Sequence, residues 1–237
     1  MFRKDQWLSE QIGKSVYQLE VNDLLEDDLT KNWKKFRIDH IKENFLVFSK
    51  ISTNSENMYQ CLEKANFKLI DTNVKFELNN NKLSEKQQHN DFEICFAEKK
   101  HQQAVGKIAR DNFLYSRFHL DPLIDNNIAN QIKQNWAKNY FFGKRGNEMV
   151  LALVHNEPVG FLQLIIKEKE LFIDLIGVDK IAQGRGVASS MIQFASKNIK
   201  SSCIKVGTQI GNLPSIKLYQ KLGFVLTKSD YVFHYHS

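Results

Sequence analysis

Residues 171–195 read LFIDLIGVDKIAQGRGVASSMIQFA. The apolar run LFIDLIGV has the composition of a buried strand. It passes through a turn holding Gly184 and Gly186 into a segment whose Val187, Met191, Ala195 and Ile199 fall on one helical face. A strand that enters a helix this way leaves the first helical N–H groups unpaired beside the positive end of the dipole, which suits a phosphate. Two common phosphate loops do not fit. A P-loop needs G-x-x-x-x-G-K-[ST], which is missing here. A dinucleotide fingerprint needs a third glycine where Ser189 stands, and an acid about twenty residues on, where the chain reads CIKVGTQ.

Outward from this junction the pattern is a mixed α/β one. FEICFAE reads as a strand, 102–113 and 126–142 as helices, and EMVLALV and VGFLQLII as strands joined by the hairpin signal HNEP. After the glycine helix, CIKVGT is a strand, Asn212 a helix cap with Pro214 just inside, and Gly223 a helix stop. FVLT and DYVFHY are expected to close the chain as two strands. The polar segment LNNNKLSEKQQHND, 78–91, reads as a linker, which divides the chain into a smaller α/β domain, 1–85, and a main domain, 86–237. EKANFKLIDTNVKF (63–76) and QKLGFVLTKSDYVF (220–233) share Lys, Phe, Leu and Phe at equal spacing. VFSKISTN and KVGTQIGN precede them, each ending in Asn, with a one-residue offset between the copies. The first domain therefore reads as a degenerate repeat of the closing half of the second.

The composition is that of an ordinary globular protein: 237 residues, 42% hydrophobic and 25% charged. No apolar run reaches bilayer length, and the opening MFRKDQWLSEQIG lacks the apolar core of a signal peptide, so a cytoplasmic location and no membrane partner are expected. Cys61, Cys95 and Cys203 have no paired spacing, so neither disulfides nor a metal is expected. The net charge of +6 is scattered among acids, which argues against nucleic acid and is compatible with an anionic substrate.

Gln183-Gly184-Arg185-Gly186-Val187-Ala188 resembles motif A, Q/R-x-x-G-x-G/A, of the GNAT superfamily of acyl-coenzyme A-dependent N-acyltransferases. GTQIGNLPSIKLYQKLGF resembles motif B of that superfamily, with Asn212 at the helix start, Tyr219 on the helix and Gly223-Phe224 after it. The resemblance covers roughly residues 92–237. It implies a GNAT fold, a mixed and mostly antiparallel sheet flanked by helices, with acyl-coenzyme A as co-substrate. ARDNFLYSRFHLDP further resembles members that acylate the amino group of nucleotide-linked deoxysugars for surface polysaccharide. That resemblance implies an acetyl or short hydroxyacyl donor, such as 3-hydroxybutanoyl, and a dTDP-linked amino-dideoxysugar as acceptor. Another small amine, a protein N-terminus, or a non-catalytic coenzyme A-binding module are the alternatives. A homodimer is the default assembly.

The same resemblance implies site residues. The loop 183–188 holds the pyrophosphate, Asn212 and Ser215 lie on the coenzyme side, and a backbone N–H near Gly177 and Val178 stabilises the oxyanion. Tyr219, a phenol protonated at neutral pH, is the expected acid for the departing thiolate. Leu62 holds its place in the repeat. For the base, Asp174 shares strand parity with Ile176 and Val178, and His119, with an ordinary pKa near 6.5, is the alternative. Tyr115, Arg117, Phe118 and Gln209 are expected on the acceptor, with Arg117 pairing a diphosphate through its guanidinium fork.

Overall fold

The computed structural model describes residues 1–21, 26–79 and 91–237. The first part runs β1 (Phe2–Lys4), α1 (Gln6–Ile12), β2 (Ser15–Leu19), α2 (Glu26–Asp39), β3 (Phe45–Ser52), α3 (Glu56–Lys64) and β4 (Lys68–Asn79). Then come β5 (Glu93–Phe96), α4 (Gln102–Asn112), α5 (Asn126–Lys138), β6 (Glu148–Val154), β7 (Glu157–Lys167), β8 (Glu170–Val178), α6 (Val187–Asn198), β9 (Cys203–Gln209), α7 (Leu213–Lys221) and β10 (Val225–His236). Local chemistry sets several of these boundaries. Asp5 accepts a hydrogen bond from the Leu8 N–H at 2.9 Å to start α1, and Gly13, at φ 77, ends it. The β6–β7 turn places His155 and Asn156 at φ 50 and 65, as a two-residue hairpin requires. Among the described residues no helix is long and apolar enough to cross a membrane.

All ten strands form one sheet in the order β1-β2-β3-β10-β4-β9-β8-β7-β6-β5. Among the described residues only β2–β3 and β8–β9 pair in parallel. One face is covered by α2 and α3 over β2 and β3, and by α6 and α7 over β4 and β6–β9. On the other face α4 and α5 cover β6–β8, while α1 and α5 cover β2 and β3. The C-terminal strand β10 lies between β3 and β4, both from the first part, so the sheet is continuous across the two parts.

The arrangement is internally symmetric. From Glu56 to Leu213 is 157 positions, and the same shift carries α3 onto α7 and β4 onto β10 at both ends. It also carries Asn73 opposite Gln209 onto Asp230 opposite Ser52, and so on along the ladder to Asn79 opposite Cys203 and His236 opposite Leu46. The two parallel ladders stop at equivalent pairs, Leu19↔Ser49 and Ile173↔Val206.

Three details differ from the sequence reading. FVLT and DYVFHY are one strand, β10, because a register irregularity between Leu226 and Lys228 absorbs Thr227 where a turn was expected. The second of the paired helices, α5, ends at Lys138; bonds such as Phe141 N–H to Lys138 carbonyl and Gly143 at φ 65 then unwind it. Leu78 and Asn79, counted with the linker, close β4, and 80–90 lie outside the described residues. The residue equivalent to Asn212 is Ser55, at the N-cap of α3, in keeping with the one-residue offset between Asn54 and Asn212.

Candidate active site

The glycine junction sits where the sheet parts. Beyond Ile173↔Val206, β8 runs on to Val178 paired with β7 alone. Asp179 then accepts from the Ile181 N–H at 3.2 Å to start a single 3-10 turn, and Gln183 Nε2 donates to the Val178 carbonyl at 3.0 Å, which ties the loop to the strand end. Gly184 and Gly186 adopt φ of 77 and 83, a left-handed backbone costly for any residue with a Cβ. Gly186 is the N-cap of α6 and offers no side-chain cap, and the helical bonding begins with Ser190 N–H to the Gly186 carbonyl at 3.0 Å. First-turn N–H groups with no cap beside a helix dipole can take a phosphate. Arg185, at the loop's surface, pairs with Asp91 at 3.3 Å. Gly160 was missed by the sequence reading. A Cβ there would lie 2.9 Å from Val187 Cγ1, so this glycine lets the start of α6 approach β7; a lone glycine inside an apolar strand was the available signal.

Tyr219 of α7 belongs to the same hydrophobic core as Val187 and Met191 of α6. Asn212 caps that helix, accepting from the Ser215 N–H at 3.3 Å while donating to Thr208 Oγ1 at 3.0 Å, so Ser215 keeps only its hydroxyl for a ligand. Tyr219 is 2% exposed, between Phe76 and Phe224 with ring centroids 5.9 and 5.5 Å away. Burial pushes its phenol above the usual range, which keeps it protonated. Its hydroxyl has no hydrogen-bond partner among the described residues.

On the opposite face several expectations are corrected. Asp174 does not share a face with Ile176 and Val178, because the register passes from Gln163↔Leu175 to Leu164↔Ile173 and leaves Asp174 as the extra residue of a bulge. Its carboxylate is held by Arg145 through two bonds of 2.7 and 2.6 Å, by Trp136 Nε1 at 2.9 Å and by Gln163 Nε2 at 3.1 Å, an anchor fixed by a cation and turned to the α5 side, not a free base. His119 is likewise occupied: Nδ1 meets Ser116 Oγ at 2.6 Å and Nε2 meets Asn130 Oδ1 at 2.9 Å. Burial lowers its pKa. Phe118 is a core residue, 2% exposed. Arg117 does not stand free for a diphosphate; it stacks 3.8 Å from the Phe48 centroid and donates to His234 Nε2 at 3.0 Å. Tyr115 is 38% exposed, and Gln209 is half-buried opposite Asn73. A Cβ on Gly177 would lie 2.8 Å from Phe161 and 3.3 Å from Phe113, so the glycine lets both rings reach the strand.

Arg117 belongs to a buried cluster joining the two parts. Asp121 Oδ2 accepts from His234 Nδ1 at 2.5 Å and from His236 Nε2 at 2.7 Å. Arg117 donates to the other nitrogen of His234, and Lys14 Nζ to Nδ1 of His236 at 2.8 Å. Three ligand atoms thus lie within 4.8 Å of one another, as a metal site would need. The tautomers do not fit a metal. A metal-bound imidazole carries its proton on the far nitrogen, and here both far nitrogens face cations that can only donate. A cavity of about 410 Å³ opens elsewhere, between α2 and α3 and lined by Leu29, Trp33, Arg37 and Cys61, remote from the glycine junction.

The family model described as acetyltransferase (GNAT) family matches residues 103–224. The spore coat polysaccharide biosynthesis protein SpsD of Bacillus subtilis (strain 168) is 30% identical over 146 residues, 60% of this chain and 50% of that protein. The chain spans about half the length of the curated relatives it matches. A GCN5-related N-acetyltransferase from Sphaerobacter thermophilus superimposes with a TM-score of 0.66 at 11% identity, covering 99% of this chain and 75% of that one. A tandem GNAT protein from the clavulanic acid biosynthesis pathway does so with a TM-score of 0.64 at 8% identity, over 94% and 76%. At these identities the likeness shows the fold alone.

Proposed function

Because the chain belongs to the acetyltransferase (GNAT) family, we propose that it moves an acetyl or short hydroxyacyl group from coenzyme A to the amine of a nucleotide-linked amino-dideoxysugar. The reaction would take place in the cytoplasm and serve surface polysaccharide. The observation that carries the donor side is the uncapped first turn of α6 behind two left-handed glycines. The acceptor side is supported by the likeness to SpsD, a spore coat polysaccharide biosynthesis protein. Residues 86–237 act as the transferase unit on this reading, and residues 1–85 as a degenerate copy of its closing half.

In this mechanism the loop 183–188 and the α6 dipole hold the pyrophosphate, and Asn212 fixes the start of α7. A backbone N–H near Gly177 or Val178 faces the developing oxyanion. The protonated, otherwise unengaged phenol of Tyr219 supplies the proton that the departing sulfur needs. Neither Asp174 nor His119 serves as the base.

The test is thermal stability of the full chain with acetyl-coenzyme A, 3-hydroxybutanoyl-coenzyme A, and a panel of dTDP and UDP sugars. Ligands that bind only the folded state raise the melting point. An increase with an acyl-coenzyme A and with dTDP compounds is expected. No increase with any acyl-coenzyme A at millimolar concentration would end the reading, and an increase with the coenzyme alone would support the donor side and leave the acceptor to be found.

A further inference from the structure

The opening between α2 and α3 has a cause in the internal repeat. The shift that carries α3 onto α7 sets Cys61 and Ala65 against Leu218 and Leu222. In the second unit those leucines pack in the core, Leu222 with no exposed surface. In the first unit two smaller side chains leave that space as a cavity of about 410 Å³, within the range of roughly 300–1,000 Å³ that holds small ligands. Its lining runs along α2 from Leu29 past the helix end to Ile41, and includes the end of α3. Leu29 and Trp33 are buried there, whereas Ile38 and Ile41 are 60% and 79% exposed, so aliphatic surface stands in water along one wall. Lys34, Arg37 and Lys64 also line the cavity, and no carboxylate of a described residue does. None of the three cations is ion-paired with a described residue. Trp33 and Arg37 both pack on Tyr235, 4.7 Å between ring centroids and 5.8 Å from guanidinium to centroid, which sets a cation beside the apolar floor.

We infer that this groove binds a small amphipathic anion, a carboxylate on an extended aliphatic chain. The chain would lie along α2 on Leu29, Trp33, Ile38 and Ile41, taking their surface out of water. The carboxylate would meet Arg37, whose planar fork offers it two parallel hydrogen bonds, with Lys34 and Lys64 adding charge from the two helices. Lys34, Arg37 and Ile38 are three and four positions apart, so one face of α2 presents both the charge and the apolar wall. A cationic amphiphile would meet three like charges, and a neutral one would leave them unused. The groove belongs to the first part of the chain, outside the family match at 103–224, and no step of the acyl transfer proposed above uses it.

The test is calorimetric titration of the full chain with decanoate, decanol and decylammonium. One decanoate per chain is expected, with decanol at least tenfold weaker and decylammonium not bound. Thr30 is an exposed lining residue, so Thr30→Trp should fold and fill the cavity, weakening decanoate at least tenfold. Arg37→Gln combined with Lys64→Gln should bring decanoate close to the affinity of decanol and leave decanol unchanged, a split between head and chain that a merely structural role would not produce. Melting temperatures show that each variant folds. Absence of decanoate binding, equal affinity for decanoate and decanol, or binding unaltered by Thr30→Trp overturns the site. Binding to phosphatidylglycerol vesicles without binding of free decanoate would overturn it in favour of a membrane surface.

Discussion

The two symmetric units, β2 to β4 and β8 to β10, have closely matched backbones and opposite chemistry at equivalent places. Helix α6 starts from two left-handed glycines, with no acid in its first turn. Helix α2 starts with Glu26, Asp27 and Asp28. Carboxylates there neutralise the positive end of the dipole, the feature that would otherwise attract a phosphate. On the following helix the buried position is Tyr219 in one unit and Leu62 in the other; both fill the same kind of core site, but only the first can donate a proton. The difference shows that the frame needs only volume and ladder register, whereas a ligand site needs particular groups at a few positions.

The largest expected effect comes from removing the hydroxyl of Tyr219, the proton donor that its equivalent Leu62 lacks. Tyr219→Phe should lower turnover by about a hundredfold to ten-thousandfold with acetyl-coenzyme A affinity and melting temperature little changed. Steady-state rates and coenzyme titration check this, and unaltered turnover would mean that the two helices differ in nothing that matters.

Next is the cluster that clamps the units together. Asp121→Ala leaves His234 and His236 without their shared acceptor beside Arg117 and Lys14, and should cost about 3–5 kcal/mol in urea unfolding. A pH dependence follows. Burial holds His234 below its ordinary pKa. Asp121, which burial alone would raise, is carried below the carboxylate range by its histidine hydrogen bonds. A histidine kept neutral gives stability that is complete above 6.5 and is lost as pH falls below it; a depressed aspartate loses its share further down, below its ordinary 3.8. The melting temperature should therefore fall steadily on acidification from pH 6.5, and His234→Gln should flatten the upper part of that fall.

The smallest effects test the helix starts themselves. Ala188→Asp, which gives α6 an acid like those of α2, should weaken acetyl-coenzyme A by about tenfold, the equivalent of roughly 1–2 kcal/mol. Neutralising Glu26, Asp27 and Asp28 together should cost the fold about 0.3–1 kcal/mol per residue and leave the coenzyme stoichiometry at one per chain. A second coenzyme bound by that variant would show that charge alone had silenced the first unit.

What could be read from the sequence was local. The strand, the glycine turn and the Asn212 cap follow from residues adjacent in the chain, and so does the hairpin at His155-Asn156. Asp174 was misplaced because its direction depends on a bulge set by the opposing strand β7, which parity counting along one strand cannot see. His119 and Arg117 have the right chemistry for a site, but their partners Asn130 and His234 lie 11 and 117 residues away. The pairing of β10 between β3 and β4 is likewise long-range, an insertion that no segment announces by itself.

That insertion bears on how the protein is made. During synthesis β3 and β4 emerge early, and each keeps an open edge until β10, the last strand in the order, is translated. An unpaired edge is a template for the wrong strand, including one from a second nascent copy. The early part must therefore wait, half-zipped, for a strand encoded about 150 codons later. Emergence of β10, not of the first part, would then be the event that closes the sheet.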